Sequence, residues 1–124
     1  IMASINRFEE LECWKEARMF VQLIYNLTKK ESFSKDYRIV SQIRDSAVST
    51  MANIAEGFHR NSNKDFLRFL DYSRASIAET LSHSYVALDQ GYINDIEMTQ
   101  VKEKAEVVWK LVNSFIKYLN NNKR

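Results

Sequence analysis

Apolar side chains recur every three or four residues along almost the whole chain, which is the spacing of one face of an α-helix. The pattern predicts four helices, at residues 5–30, 35–57, 63–90 and 94–120. Their stripe residues, in chain order, are Cys13, Ala17, Phe20, Ile24 and Leu27; Val40, Ile43, Ala47, Met51 and Ile54; Phe66, Leu70, Ile77, Leu81 and Leu88; and Met98, Val101, Ala105, Val108, Val112, Phe115 and Leu119.

Residues that typically begin and end helices stand between these stripes. Ser62 and Asn94 each precede an acidic residue three positions on, as helix N-caps do. Gly57 and Gly91 follow the second and third helices, where a left-handed glycine often closes a helix. The remaining links are short, so we expect an all-α, antiparallel up-down-up-down four-helix bundle in one domain spanning 1–124.

The second helix has an unusual composition, because no residue from Ser46 to Ala55 is charged. An exposed helix face normally collects Lys and Glu, so this helix is expected to be enclosed by its neighbours and packed closely through small residues. A polar stripe of similar character lies on the third helix. Because an unpaired buried polar group is costly, these stripes predict a buried or half-buried hydrogen-bond network. Its expected members are Ser49, Asn53, Glu56 and Glu79.

The same stretch carries a family resemblance. The segment "SQIRDSAVSTMANIAEGFHRNSNKDFLRFLDYSRASIAET" resembles the signature of 23S rRNA intervening-sequence proteins, whose usual form is close to SQIRRAAVSIPSNIAEGF. The opening "FEELECWKEARMFVQLIYNLT" resembles the family's F-x-x-L-x-x-W start, and "GYI" at 91–93 resembles its third loop. The chain differs at Met51, where proline is usual, and at His59, where glycine is usual.

This resemblance implies a left-handed four-helix bundle that assembles into a homo-oligomer, commonly a pentamer. Family function is mostly unknown, although some members are encoded within ribosomal RNA genes, which suggests an RNA link. A related branch, the accessory proteins of diversity-generating retroelements, forms a strongly basic pentamer that binds nucleic acid. The present chain departs from that branch, because its net charge is only +2.

Composition limits where in the cell the protein is expected to occur. The chain has 124 residues, with 18 Lys and Arg against 16 Asp and Glu, and its basic residues are spread rather than gathered into a tail. Cys13 is the single cysteine, so a disulfide within the chain is excluded and a reducing cytoplasm is expected. No segment has the continuous apolar length of a membrane span.

The sequence contains only weak candidates for a catalytic or metal-binding site. Glu56, Glu79 and His83 suggest a carboxylate-bridged metal site, but Glu79 and His83 are four apart rather than three and the motif has no second copy. Cys13 lies on an apolar stripe with no histidine near it in sequence. With two glycines, no phosphate-binding loop is present. We therefore expect no enzyme activity, no metal, no cofactor and no small-molecule substrate.

Two kinds of partner remain open. The first helix carries more apolar positions than one face can bury, Met19 and Leu23 among them, which favours a homo-oligomer over a helix deep in its own bundle. Arg60, Lys64 and Arg68 step by four from the second loop into the third helix, so an oligomer would repeat a basic cluster. The cations expected on this cluster or on related faces are Arg44, Arg60, Lys64, Arg68 and Arg74.

The two resulting function classes are an oligomeric module that binds RNA or DNA, and a structural or protein-interaction scaffold. The ordinary alternative for the basic residues is that Lys64 and Arg68 pair with Asp65 and Asp71 on a solvated helix. Phe69 and Tyr72 lie nearby and could stack on bases, although aromatic residues at helical spacing are more often core.

Overall fold

The computed structural model describes residues 5–122, and these residues form an all-α fold without strands. A 3₁₀ turn, Phe8–Glu10, precedes the first α-helix. The α-helices are α1 (Glu12–Thr28), α2 (Glu31–Ser34), α3 (Tyr37–Phe58), α4 (Asn63–Asp89) and α5 (Asp95–Asn121). The four long ones correspond to the predicted helices, whereas the short α2 was not predicted.

Local geometry explains where the predicted bounds fail. Leu11 has extended backbone angles, so the first helix begins at Glu12 and not near residue 5. The chain leaves α1 at Thr28 and turns through α2, which inserts Phe33 into the core with 1% of its surface exposed. One buried aromatic residue in a four-residue turn gives no periodicity, which is why the sequence pattern did not reveal α2.

The predicted N-caps of α4 and α5 are confirmed. The Ser62 side chain accepts a hydrogen bond from the Asp65 backbone N–H at 3.2 Å. Asn94 and Glu97 form a reciprocal capping box, in which each side chain accepts a hydrogen bond from the other residue's backbone N–H. These bonds satisfy donors that the first turn of a helix leaves unpaired, and they fix where α4 and α5 begin.

The two glycines have different roles. Gly91 has φ of 75° and follows α4, so its predicted left-handed closure is confirmed. The same prediction is wrong for Gly57, which lies inside α3 without a positive φ. A Cβ atom at Gly57 would lie 2.8 Å from both Phe66 Cδ1 and Phe69 Cβ. Glycine is required there because α4 approaches too closely for any side chain.

The core follows the predicted stripes closely. In α1 and α5 every stripe residue is buried except Phe115, which packs partly buried against the same core. Contacts join α1 to α3, α3 to α4, α4 to α5, and α5 back to α1. The core therefore lies between four long helices of a helical bundle, each with one face inward.

Small residues bring α3 and α4 together, and their hydroxyl groups are satisfied across the contact. Ser73 Oγ donates to the Thr50 carbonyl at 2.7 Å, and Thr80 Oγ1 lies 2.8 Å from Ser46 Oγ. All four residues are buried. No buried side-chain nitrogen or oxygen in residues 5–122 lacks a hydrogen-bond partner. Buried hydroxyls thus replace bulky apolar packing along this contact, which we call the hydroxyl seam.

The expectation that the second helix is enclosed is wrong. Helix α3 contacts α1 and α4 but turns a third side to solvent, where Val48 is 38% exposed and Ala52 is also exposed. The uncharged run therefore includes outward positions. The absence of charge was a poor guide to burial because short uncharged side chains are tolerated on either side of a helix.

Ties between distant segments fix the end of the bundle where α1 ends and α5 begins. Lys30 Nζ lies 2.6 Å from Glu97 Oε1, and Tyr92 Oη donates to Asp36 Oδ2 at 2.7 Å. The Tyr92 ring also stacks on Phe33 with centroids 5.2 Å apart. Through these contacts the turn after α4 is joined to the segment between α1 and α3.

Candidate nucleic-acid interface

The basic residues predicted to act together lie where α3 passes into α4. Helix α3 ends at Phe58, and a short link containing Arg60 leads to the Ser62 cap, after which α4 carries Lys64 and Arg68 on its first turns. The two arginine side chains are 41% and 50% exposed. The link between α3 and α4 therefore brings Arg60 and Arg68 to one surface of the protein.

Phe69 organises this surface. The guanidinium carbon of Arg60 lies 4.4 Å from the centre of the Phe69 ring, and that of Arg68 lies 5.0 Å from it. The two carbons are therefore less than about 10 Å apart, and both cations gain from the negative face of an aromatic ring. We name Arg60, Arg68, Phe69 and Tyr72 the arginine–aromatic cluster.

Each guanidinium of the cluster already has a carboxylate partner. Arg60 Nη2 lies 3.0 Å from Glu56 Oε2, and Arg68 Nη2 lies 3.4 Å from Asp65 Oδ1. Arg68 Nη1 also donates to Tyr72 Oη at 3.3 Å, and this hydrogen bond is the main reason that the pKa of Arg68 is raised. The surface is thus a set of cations held in place by exposed, exchangeable ion pairs.

Lys64 differs from the two arginines. It is exposed, and its ammonium group makes no ion pair or hydrogen bond within residues 5–122. The expected pairing of Arg68 with Asp65 is confirmed, whereas Asp71 pairs with Arg74 rather than with Lys64. The Glu56–Arg60 pair was missed, although its four-residue spacing is the usual signal for such a pair.

The structure does not bring Arg44 to this cluster. Arg44 Nε donates to Thr28 Oγ1 at 2.8 Å, and its guanidinium carbon lies 4.4 Å from the Tyr25 ring centre, both on α1. It lies 16 residues before Arg60, or about 24 Å along a helix axis at 1.5 Å per residue. Arg74 is also separate, because it bonds Asn113 and lies over Trp109, both on α5.

The predicted polar network forms only at its first pair. Asn53 Nδ2 donates to the Ser49 carbonyl at 2.8 Å and to Ser49 Oγ at 3.0 Å, with both residues half-buried. The predicted membership of Glu56 and Glu79 is wrong, because both are exposed and contact Arg60 and His83 respectively. Each of these long, exposed side chains contacts a partner four residues further along the chain instead of joining the network. The buried network is instead the hydroxyl seam.

The remaining chemically reactive groups are dispersed or unreactive. Residues 5–122 contain no group of three or more His, Cys, Asp or Glu side chains placed to hold a metal ion. Burial raises the pKa of the Cys13 thiol to about 12, so the thiol is protonated at neutral pH. No helix of the described chain has both the length and the apolar character needed to cross a bilayer.

Comparison with known proteins gives the family. A sequence model of the 23S rRNA-intervening sequence protein family matches residues 9–114. The chain belongs to this family. The matched residues include those of the hydroxyl seam and of the arginine–aromatic cluster. The comparison with curated proteins gives no match.

A solved structure supports the same fold for this 23S rRNA-intervening sequence protein. The crystal structure of a protein of unknown function from the S23 ribosomal protein family, from Bacteroides thetaiotaomicron VPI-5482, is similar with a TM-score of 0.78 and 25% sequence identity. The similarity covers 85% of the present chain and 98% of the other.

Proposed function

We propose that this chain is a non-catalytic, homo-oligomeric helical bundle that associates with RNA or DNA through its arginine–aromatic cluster. The observation that carries the proposal is the pair of partly exposed guanidiniums, Arg60 and Arg68, held over one ring beside the exposed Lys64. Arginine side chains recognise phosphate well because their planar groups donate several hydrogen bonds at once.

The four long helices run antiparallel, up-down-up-down, in a left-handed bundle. Contacts between opposite helix ends support this topology: Lys30 near the end of α1 meets Glu97 near the start of α5. Likewise, Asn63 at the start of α4 donates to the carbonyl of Asn122, just after α5. This arrangement puts the α3–α4 link, and with it the basic residues, at one end of every subunit.

Assembly into an oligomer supplies the binding strength for nucleic acid that one subunit lacks. The net charge of +2 is too small for strong binding by a single chain, but an oligomer, a pentamer by family resemblance, multiplies each weak site. Support for assembly comes from Met19, which is 52% exposed on α1. Apolar side chains of this size gain from being covered by a partner surface.

An electrophoretic shift titrated with salt tests the proposal. A short single-stranded RNA should bind at low salt and be lost as salt rises, with a slope of about 0.7 per phosphate contact. The double variant Arg60→Glu with Arg68→Glu should abolish the shift. Arg38→Glu with Lys117→Glu removes the same charge at exposed positions outside the cluster and should leave most of the binding. Absence of binding at low salt, or equal loss in both variants, would reject the proposal.

A protein-interaction scaffold is the second candidate. It is favoured by Val48 and Ala52 on α3, which are exposed and uncharged between Asp45 and Glu56 in a chain that is 27% charged. A surface of this kind suits another protein better than it suits phosphate. The salt titration separates the two candidates, because a scaffold without a nucleic-acid role gives no shift of the RNA with the parent or with either double variant.

A further inference from the structure

The two aromatic residues of the arginine–aromatic cluster are available to different degrees. Phe69 is only 6% exposed, and the guanidiniums of Arg60 and Arg68 both lie over its ring. It therefore supports the cations and offers little ring surface to a ligand. Tyr72, by contrast, is 45% exposed and lies beside the Arg68 guanidinium.

The Tyr72 ring is held although it is exposed. Its hydroxyl accepts a hydrogen bond from Arg68 Nη1, and its ring meets the Phe69 ring edge to face, with centroids 5.4 Å apart. A ring fixed in this way loses little conformational entropy when a ligand stacks on it. The exposed part of the Tyr72 ring is therefore held in place for stacking against a planar ligand group.

Tyr85 provides a comparison that shows how the contacts of Tyr72 differ from those of another exposed tyrosine. It lies on the same helix, α4, and has the same 45% exposure. Within the described residues its side chain has no hydrogen bond, no ring contact and no guanidinium beside it. Exposure alone therefore does not distinguish Tyr72, whereas its contacts with the Arg68 guanidinium and the Phe69 ring do.

We propose that Tyr72 is a stacking platform for an unpaired base, and that Arg60 and Arg68 hold the neighbouring phosphate, so that the preferred ligand is a single-stranded nucleic acid. The Arg68 guanidinium carbon lies 5.8 Å from the centre of the Tyr72 ring, which is short enough for one nucleotide to reach both. A duplex keeps its bases stacked inside, whereas a single strand offers a base face and a phosphate together. This inference rests on the proposed function.

Fluorescence anisotropy with the full chain tests the inference, using a labelled single-stranded RNA, the single-stranded DNA of the same sequence, and an RNA duplex of equal length. Tyr72→Ala should weaken binding of both single strands by about tenfold, the effect expected for one lost base–aromatic stack. Tyr72→Phe should retain most of the affinity because it keeps the ring. Tyr85→Ala is the matched control and should bind like the parent.

Control measurements distinguish a lost stacking contact from a loss of folding or assembly. Thermal unfolding and oligomer mass are measured for each variant, and Tyr72→Leu serves as a second non-aromatic variant if Tyr72→Ala does not fold. Parent-like binding by the non-aromatic variants, or an equal preference for duplex, would overturn the stacking role and leave the proposed function standing. Failure of every probe to bind the parent at low salt would overturn both.

Discussion

At the scale of single residues, Gly57 illustrates how one missing side chain sets the distance between two helices. Replacing it with Ala gains about 1 kcal/mol of helix propensity. However, the new Cβ would lie 2.8 Å from Phe69 Cβ, an atom next to the backbone that cannot move without shifting α4. Overpacking of this kind costs roughly 1–3 kcal/mol, so the clash outweighs the gain.

We therefore predict that Gly57→Ala lowers the free energy of unfolding by up to about 2 kcal/mol, measured by urea denaturation. Gly91 provides the contrast, because nothing lies within 4 Å of a Cβ built there and the cost is its positive φ. Asn tolerates that backbone region, so Gly91→Asn should be milder than Gly91→Ala. At Gly57 the larger Asn should be worse than Ala. The reverse order at Gly57 would contradict the packing argument.

The carboxylates of the arginine–aromatic cluster give a second prediction at this scale. Glu56 and Asp65 occupy the guanidiniums that the proposed function assigns to phosphate. Because exposed ion pairs are worth about 0.2–1 kcal/mol, Glu56→Gln or Asp65→Asn should strengthen RNA binding by a factor of up to about five. Glu106→Gln removes the same charge from an exposed pair with Lys110 on α5. An equal gain from that control, seen by anisotropy, would mean that only net charge matters.

At the scale of elements, the hydroxyl seam between α3 and α4 replaces large apolar side chains. We predict that Ser73→Ala, which removes the donor to the Thr50 carbonyl, costs about 1 kcal/mol. Ser73→Val adds volume to a fully buried site and should cost more, about 1–3 kcal/mol. The exposed Ser82 on the same helix is the control, and Ser82→Ala should be neutral or slightly stabilising. Chemical denaturation of the three variants would contradict this view if Ser73→Val were the most stable.

The same seam explains which parts of the fold and the site could be predicted from the sequence. Helix periodicity and the Ser62 and Asn94 caps are local signals, and they gave four long helices with nearly correct ends, except that the first helix begins at Glu12 and not near residue 5. Which polar residues are buried depends on the partner helix, so Thr50 and Thr80 were missed while Glu56 was wrongly included. The approach of Arg60 and Arg68 to one ring likewise depends on the turn between two helices.

At the scale of the whole molecule, the Lys30–Glu97 pair joins the end of α1 to the start of α5 and makes stability depend on pH. Burial, the largest influence, acts to raise the pKa of Glu97, but the bonds from Lys30 and from the Asn94 backbone outweigh it, so the net pKa is lowered. A carboxyl whose pKa is lower in the folded state stabilises the fold above its unfolded pKa, about 4.3, and loses this contribution as pH falls through the folded value.

We predict that the wild-type protein loses stability more steeply than Glu97→Gln as pH is lowered below about 5, because the variant lacks this titrating group. Unfolding midpoints measured between neutral and acidic pH provide the comparison. Glu106→Gln, in an exposed pair, should keep the wild-type slope. Parallel curves for wild type and Glu97→Gln would show that the pair does not carry the acid sensitivity.

Assembly is the property on which a weak basic surface depends. If five subunits form one particle, sedimentation equilibrium should give five times the chain mass, and binding should weaken far more than fivefold when the particle dissociates, because each site would then act alone.

Met19→Lys places a charge where α1 exposes an apolar side chain and should shift assembly toward smaller species. Thr99→Lys, at an exposed and already polar position near the start of α5, is the control and should not. A parent protein that sediments as a single chain would remove the multiplication on which the proposed nucleic-acid role depends. An unchanged mass for Met19→Lys would instead remove only this side of α1 from the interface.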